Sequence, residues 1–544
     1  MPLITFDYNE FIDLLGYTIS KDVLIDKLPM IGGDFDKIDG DELSIEFFPN
    51  RPDLTSVEGV ARAARAFFGF ERGIKQYPLN HSEVLITVDD SVKKIRPYVT
   101  TAVIKNVVMS DELIKSLMSL QEKLHGGLGR NRKKVAIGVH NFEPVTPPFV
   151  YKGVDPDSVQ FIPLGKEDSM TLREILLNHE KGVDYAHILK DCERYPLIVD
   201  AHNNVLSFPP IINGRLTEVT PYTKELFIDV TGTDKKAINY ALNIISTALA
   251  ERGCQLYQTR VVDENKTCIT PNLSAEKKAL SVSYVNTILG TNFSDHEICQ
   301  HLSKMGYNTL TENKKSITVE IPAWRADILH EIDLVEDVAI GYGFDVFSVD
   351  FPRVLTFGKT LPYYGLHQSL RSILIGLGFF EVTTFTISNE RDEFKNMGLS
   401  KKPLVEIENP IGEEYSSLRC SLLPSLLKIL NENKHHPLPQ MIYELGVIVD
   451  ANAQNHWNLA GVKISAKSNF TESKAIVEAV LRDIGCSYVI KENNHPAFIE
   501  GRCASVYKND ISLGLFGELH PKTITNFSLE HPIIAFELQT ELLA

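Results

Sequence analysis

Residues Ile321–Gly343 read IPAWRADILHEIDLVEDVAIGYG. Ile328, Ile332, Val335 and Ala339 recur at helical spacing, with Asp327 at the start and Asp333, Glu336 and Asp337 within one turn. Residues three and four apart are neighbours on a helix surface, so carboxylates at this spacing repel by roughly 0.2–0.5 kcal/mol per pair unless a cation sits between them. Two readings stand at this point. Either Asp327 is an N-cap and the others form a solvated acidic face, or Mg²⁺, which takes few hard oxygen ligands and keeps several waters, lies among them.

The rest of the chain bounds the class. Its 544 residues, 43% hydrophobic, supply cores for three to five domains. With 55 basic and 71 acidic side chains the formal charge is −16, which excludes a chain-wide attraction to nucleic acid or anionic lipid. Contact with RNA then falls to local basic patches or to a partner. Seven scattered cysteines without CxxC spacing argue against a disulfide framework or a zinc site. The N-terminal MPLITFDYNEF lacks the apolar run of a signal peptide, and no apolar stretch reaches 18 residues, so a soluble cytoplasmic protein with no membrane partner is expected.

Punctuation divides the chain at 1–75, 80–255, 272–347 and 355–544, an α+β multidomain protein. In the first part Thr55-Ser56-Val57-Glu58 predicts a capping box. The second alternates strand-like runs (VLITVDD, VAIGVHNF, LFIDV) with helical ones and predicts a helix over Ile238–Leu249, capped by Asp234 and ended at Gly253. The third is a small helical and strand domain around the acidic helix. The fourth alternates helix and strand as a larger sheet flanked by helices.

Two stretches of the second part invite chemistry. Gly129–His140 carries Arg130, Arg132, Lys133 and Lys134 ahead of a buried-looking strand, a candidate phosphate contact set against the plainer reading of a solvated basic loop. Ser207–Arg215 contains Asn213-Gly214, which predicts a hairpin turn. Phe357-Gly358-Lys359-Thr360 mimics the end of a phosphate-binding loop, but Arg353 stands where that loop requires glycine. His435-His436 has no metal-spaced companion.

Arg325-Ala326-Asp327-Ile328 with Asp333–Tyr342 resembles the signature helix of the β subunit of phenylalanyl-tRNA synthetase, as EFFPNRPDL with SVEGVARA resembles its N-terminal region. The resemblance runs collinearly through the chain and is of the archaeal and eukaryotic-cytosolic type, whose length it also shares. It implies that Asp327, Asp333, Glu336 and Asp337 are magnesium ligands. It implies an editing module in which Leu197, Ser207, Asn213, Asp229 and Thr231 line a pocket that hydrolyses tRNA-Phe mischarged with tyrosine. No GxSxG elbow or Cys/His pairing stands in that region, so a positioned water is the expected nucleophile. His125-Gly126-Gly127-Leu128 departs from the family, in which a bulky aromatic follows the histidine.

Residues 355–544 resemble a class II synthetase fold, an antiparallel sheet with flanking helices, carrying Asn409-Pro410-Ile411-Gly412, Ser417–Leu427 and Tyr443-Glu444-Leu445-Gly446. Adenylation needs an arginine paired with an acid on the motif strand and a further arginine to hold phosphates. Cys420 and Ser421 follow Arg419, and the later turn Gly517-Glu518-Leu519-His520-Pro521 has no arginine. No residue here is therefore expected to adenylate, and Arg419 is expected at a surface or interface. The implied partners are an α subunit in an α₂β₂ heterotetramer, which uses ATP, and tRNA-Phe. A tRNA-binding scaffold with an inactive pocket and a free-standing editing hydrolase are the alternatives.

Overall fold

A computed structural model describes residues 2–264, 266–313, 315–352 and 354–543; Arg353 lies outside them. The chain forms two compact units, Met1–Asp350 and Phe351–Ala544. Among the described residues no helix is long and apolar enough to cross a membrane.

The first unit begins with a three-stranded sheet in the order Leu3–Asp7, Glu42–Phe47, Gly33–Asp39. The helix Val57–Phe67 packs in the same core through Val57, Val60, Ala61 and Ala64. Its cap differs from the sequence expectation by one residue. Ser56 is the N-cap and accepts from Gly59 N, while Thr55 Oγ1 donates to Pro52 O. With Ser56 as N-cap the third helical position is Gly59, so no capping box closes, and the Glu58 carboxylate binds Arg252 and Ser116 from later elements.

The central sheet has ten strands. Its main path runs Ile212–Asn213, Val205–Phe208, Tyr195–Val199, Phe149–Val154, Leu79–Val88, Gln255–Asp263, Tyr98–Lys105, Leu226–Gly232, Val135–Asn141. The two ends of this path meet, since Asn213 Nδ2 donates to Val139 O at 3.2 Å. The sheet therefore curls upon itself, and its mouth is where the candidate residues collect. The helix Lys235–Glu251, capped by Asp234 as its sequence predicts, buries Ile238, Leu242, Ile245 and Leu249 against it. The hairpin does not turn at Asn213-Gly214. Val205–Phe208 pairs with Ile212–Asn213 around Pro209-Pro210-Ile211, with Ile211 N donating to Phe208 O; Asn213 is the last residue of its strand and Gly214 has an ordinary negative φ.

The acidic-helix part has the sheet Glu276–Ser281, Ser316–Ile321, Asn308–Asn313 packed by the helices Val282–Leu289, Asp295–Lys304 and Glu331–Tyr342. The last helix starts at Glu331 with His330 as N-cap, later than the sequence suggests, and Ile332 is exposed. Asp327 is thus not a cap.

The second unit is a seven-stranded sheet in the order Phe380–Glu381, Gln440–Val449, Asn455–Ile464, Ile533–Gln539, Ile511–Leu519, Phe498–Lys508, Val489–Glu492. All pairings are antiparallel except the short first strand against the second. One face is covered by the helix Leu423–Glu432, the other by Tyr364–Gly376 and Phe470–Asp483. The α+β multidomain expectation holds.

Candidate functional site

Asp229 and Thr231 lie in the strand Leu226–Gly232, whose neighbour Val135–Asn141 places Gly138 opposite Asp229 and Ala136 opposite Thr231. Alternation puts these four side positions on the concave face of the curled sheet. The face closes a cavity of about 370 Å³, walled by apolar side chains such as Met118, Phe208 and Ile211. Ser207, Asn213, Asp229 and Thr231 all line it. Leu197 does not: it is fully buried in the cluster that also holds Phe208 and Ile211 and stands behind the wall rather than in it.

Asp229 is 2% exposed and held from two sides. His140 Nε2 lies 2.7 Å from Asp229 Oδ2, Ser207 Oγ donates to the same oxygen at 3.4 Å, and His140 Nδ1 contacts Thr217 Oγ1 at 2.7 Å. Both imidazole nitrogens are thereby engaged, and neither is within bonding reach of Ser207, so this is a positioning chain and not a serine nucleophile with its base. Gly138 is required by the close approach, since a Cβ there would lie 2.2 Å from Asp229 Oδ2 and 2.6 Å from His140 Nε2. Thr231 is fixed by Arg96, whose Nε donates to Thr231 Oγ1 at 2.9 Å and whose Nη2 donates to Thr231 O at 2.7 Å. Burial lowers the Arg96 pKa to about 10.

The basic stretch does not act as one patch. Arg130, Asn131 and Arg132 take φ values of 49°, 52° and 65°, three left-handed residues in succession. Such a turn persists only where its surroundings over-determine it. Here Lys134 N donates to Gly129 O at 2.7 Å and Arg132 N to His125 O at 3.2 Å. Arg130 and Lys133 point to solvent. Arg132 turns inward, is 8% exposed, donates to Ile211 O at 2.9 Å and to Glu122 at 2.8 Å, and stacks on Tyr185. Its cation is spent on the cavity wall and is not available to a phosphate. Lys134 is paired with Asp234 at 2.9 Å. His125 accepts from Ile137 N at 2.8 Å, and burial, with Arg132 nearby, lowers its pKa. The Gly126-Gly127 departure from the family leaves this histidine in place at the cavity.

The four acidic positions do not converge on one point. Arg325 is 3% exposed and clamps Asp327 with Nε and Nη2 at 2.9 and 2.7 Å, while Nη2 also reaches Asp337 Oδ2 at 2.7 Å. Tyr307 donates to Asp337 as well. Asp333 Oδ2 turns back to accept from Leu329 N and His330 N and caps its own helix. Glu336 is exposed, and burial of its inner part plus the charges of Asp337 and Asp333 raise its pKa. Among the described residues no group of three or more His, Cys, Asp or Glu is placed to hold a metal ion. The guanidinium of Arg325 supplies the counter-charge of Asp327 and Asp337, and reaches neither Asp333 nor Glu336. The expected four-ligand magnesium set does not fit this arrangement.

Arg419 is not at a surface. It is 2% exposed, pairs with Glu444 at 2.9 Å, and donates to Val447 O and Thr384 Oγ1 at 2.8 and 2.7 Å. The acid partner that an adenylating arginine has is present, yet every donor direction used is directed into protein. Glu518 lies in a strand and pairs with Arg502 at 2.9 Å.

Sequence reasoning missed His140, Thr217 and Arg96. His140 carried a signal, a polar residue on the same alternating face as Ala136 and Gly138 in an otherwise apolar strand. Arg96 and Thr217 carried none, because their role exists only once strands far apart in sequence are paired.

The comparisons agree along the chain. The family described as the phenylalanyl tRNA synthetase beta chain CLM domain matches residues 349–540, and that described as the tRNA synthetase B5 domain matches residues 278–344. A phenylalanine–tRNA ligase beta subunit of Methanosarcina acetivorans is 45% identical over 99% of this chain and 98% of its own. That of Methanothrix thermoacetophila is 43% identical over the full length of both. The crystal structure of an N-terminal fragment of the phenylalanyl-tRNA synthetase β subunit from Pyrococcus horikoshii is 36% identical, with a TM-score of 0.60 over 63% of this chain and all of the fragment. With its whole length matched at this identity, the chain belongs to the phenylalanine–tRNA ligase β-subunit family.

Proposed function

We propose that this chain works in the cytoplasm in an α₂β₂ phenylalanine–tRNA ligase, whose α subunit consumes ATP to charge tRNA-Phe, and that its own cavity hydrolyses tRNA-Phe mischarged with tyrosine. The observation that carries the editing part is Asp229, a buried carboxylate fixed by His140 and Ser207 and facing a cavity walled in part by Met118, Phe208 and Ile211. The phenol of a tyrosyl group donates to that carboxylate. A phenylalanyl group enters the same space and leaves a buried acceptor unpaired, which is a strong basis for rejection. With no protein nucleophile in reach, water adds to the ester carbonyl, the bond to the ribose oxygen breaks, and tyrosine and tRNA-Phe leave. Asn213 and Thr231 flank this space, and exposed Arg130 and Lys133 are the cations free to meet the tRNA backbone.

In this reading the second unit does not adenylate, because the stretch Gly517–Pro521 offers no arginine to hold phosphates. Magnesium enters this proposal for the ATP phosphates at the α subunit. On this chain the carboxylate oxygens that neither Arg325 nor the helix cap uses are those of Glu336 with Asp333 Oδ1 and Asp337 Oδ1, which would hold it, and no step of the reaction passes through it.

The test is deacylation of Tyr-tRNA-Phe by the α/β complex, with Phe-tRNA-Phe as control. Asp229→Ala is expected to slow Tyr-tRNA-Phe hydrolysis at least tenfold while leaving phenylalanine charging intact; unchanged hydrolysis would remove Asp229 from the reaction.

A further inference from the structure

One stripe of the helix Lys235–Glu251 is polar. Lys236, Asn239, Tyr240 and Asn243 stand at i, i+3, i+4 and i+7 and share one face. They border a cleft of about 180 Å³ within the first unit, bounded also by Asn272, Ser274 and Glu276 and by the apolar Ile321, Pro322 and Ala323. None of these side chains lines the cavity at Asp229.

The amides of this face are oriented by the backbone. Asn243, 5% exposed, donates from Nδ2 to Asn272 O at 3.0 Å and to Ala323 O at 3.1 Å. Two carbonyl acceptors on the nitrogen fix which end of the amide is the oxygen. That Oδ1 has no donor among the described residues and is not enclosed by protein, so it opens into the cleft. Asn239 Nδ2 donates to Lys235 O at 2.9 Å, which leaves its oxygen as the free end as well. Burial, with the charges of Glu276 and Asp327, raises the pKa of Tyr240, so its hydroxyl keeps its proton. A buried acceptor without a donor in its own chain calls for one from outside.

The charges at the cleft are of both signs. Lys236 and Glu276 are exposed there, and among the described residues neither has an ion-pair partner. Arg325, the third charged side chain of the lining, is committed to Asp327 and Asp337.

We propose that this cleft binds a small free α-amino acid, with its ammonium donating to Glu276 and the asparagine oxygens and its carboxylate accepting from Lys236. A ligand with only a positive charge meets Lys236, and one with only a negative charge meets Glu276; a zwitterion satisfies both. The volume is less than half the 370 Å³ of the cavity at Asp229, and the walls are mostly polar, which selects a small polar side chain over an aromatic one. Among the described residues no group of three or more His, Cys, Asp or Glu is placed to hold a metal ion, so the oxygens of the cleft suit an ammonium better than a divalent cation.

The probe is L-serine, titrated calorimetrically into the α/β complex. Its controls are glycerate, in which a hydroxyl replaces the ammonium, and ethanolamine, which lacks the carboxylate. Serine is expected to bind about tenfold tighter than either, the gain of one charge-assisted contact. Glu276→Gln should bring serine to the level of glycerate, and Lys236→Met to that of ethanolamine; both positions are exposed, and unchanged melting of the variants confirms that the fold is kept. Asp229→Ala should leave serine binding as it is. No saturable binding of serine, equal affinity for serine and either control, or serine binding untouched by both cleft variants would overturn the proposal. Serine binding lost with Asp229→Ala would overturn it too, since the ligand would then sit in the other cavity.

Discussion

Arg325 Nη2 lies 2.7 Å from Asp337 Oδ2 while the same guanidinium grips Asp327 with two donors, so one arginine neutralises two buried carboxylates. Removing one member of a buried ion cluster leaves charge without compensation and costs about 3–5 kcal/mol. Arg325→Met should therefore lower stability by about that amount in denaturant titration. Because the counter-charge is protein, treating the wild type with EDTA should leave the melting temperature unchanged; a clear drop would restore a structural metal to the acidic helix.

Glu336 is the exposed member of the acidic cluster. Its folded pKa is raised above the unfolded value, so the folded state binds the proton more tightly, and relative stability falls as pH rises through the folded pKa. Glu336→Gln should then stabilise the chain at pH 7, with the gain fading below about pH 4, where the unfolded glutamate is itself protonated. Comparing melting temperatures at pH 7 and pH 4 tests the sign. Millimolar Mg²⁺ should raise the wild-type melting temperature but not that of the variant; equal shifts would exclude Glu336 as a ligand.

Gly138→Ala introduces a methyl group 2.2 Å from Asp229 Oδ2. The strand backbone cannot yield without losing its pairing to Leu226–Gly232, so the carboxylate must move away from His140. Hydrolysis of Tyr-tRNA-Phe should fall at least tenfold, with phenylalanine charging by the complex preserved. Retained hydrolysis would mean that the Asp229–His140 geometry is dispensable.

The fold class was legible because periodicity and caps are local. Asp234, the apolar face of Lys235–Glu251 and the strand Leu226–Gly232 all stand where spacing puts them. Errors arose where a one-residue shift or a long-range partner decided. With Ser56 as N-cap, Gly59 falls where a capping box needs a glutamate, and the hairpin turns at Pro209-Pro210-Ile211 although Asn213-Gly214 is the stronger local turn signal. At the site, residue types were legible and their commitments were not. Arg132 and Arg419 look in sequence like free cations, and only the fold shows that carbonyls and carboxylates already hold them.

The basic loop yields a split expectation. Arg132 braces the cavity wall through Ile211 O and Glu122, so Arg132→Ala should lower both stability and hydrolysis. Arg130→Ala with Lys133→Ala should leave melting unchanged, weaken tRNA-Phe binding, and reduce the slope of log affinity against log salt by about one for each phosphate no longer neutralised. A salt slope untouched by the double variant would remove this loop from the RNA interface.

Arg419 and Glu444 form a pair in which each is 2% exposed, so the pair's worth depends on both members being present. Arg419→Met strands the Glu444 carboxylate and should destabilise the second unit by about 3–5 kcal/mol. Adding Glu444→Leu removes that stranded charge, and apolar replacement of a buried pair is often neutral. Recovery should be partial here, because Glu444 also accepts from Thr384 N and Oγ1, which then lose their partner. The double variant also separates architecture from chemistry. Once stability is regained, phenylalanine charging by the α/β complex should return with it, since Arg419 donates into this chain and not toward a nucleotide. A refolded double variant that assembles with the α subunit yet charges tRNA-Phe tenfold slower would place Arg419 among the groups that act on the reaction.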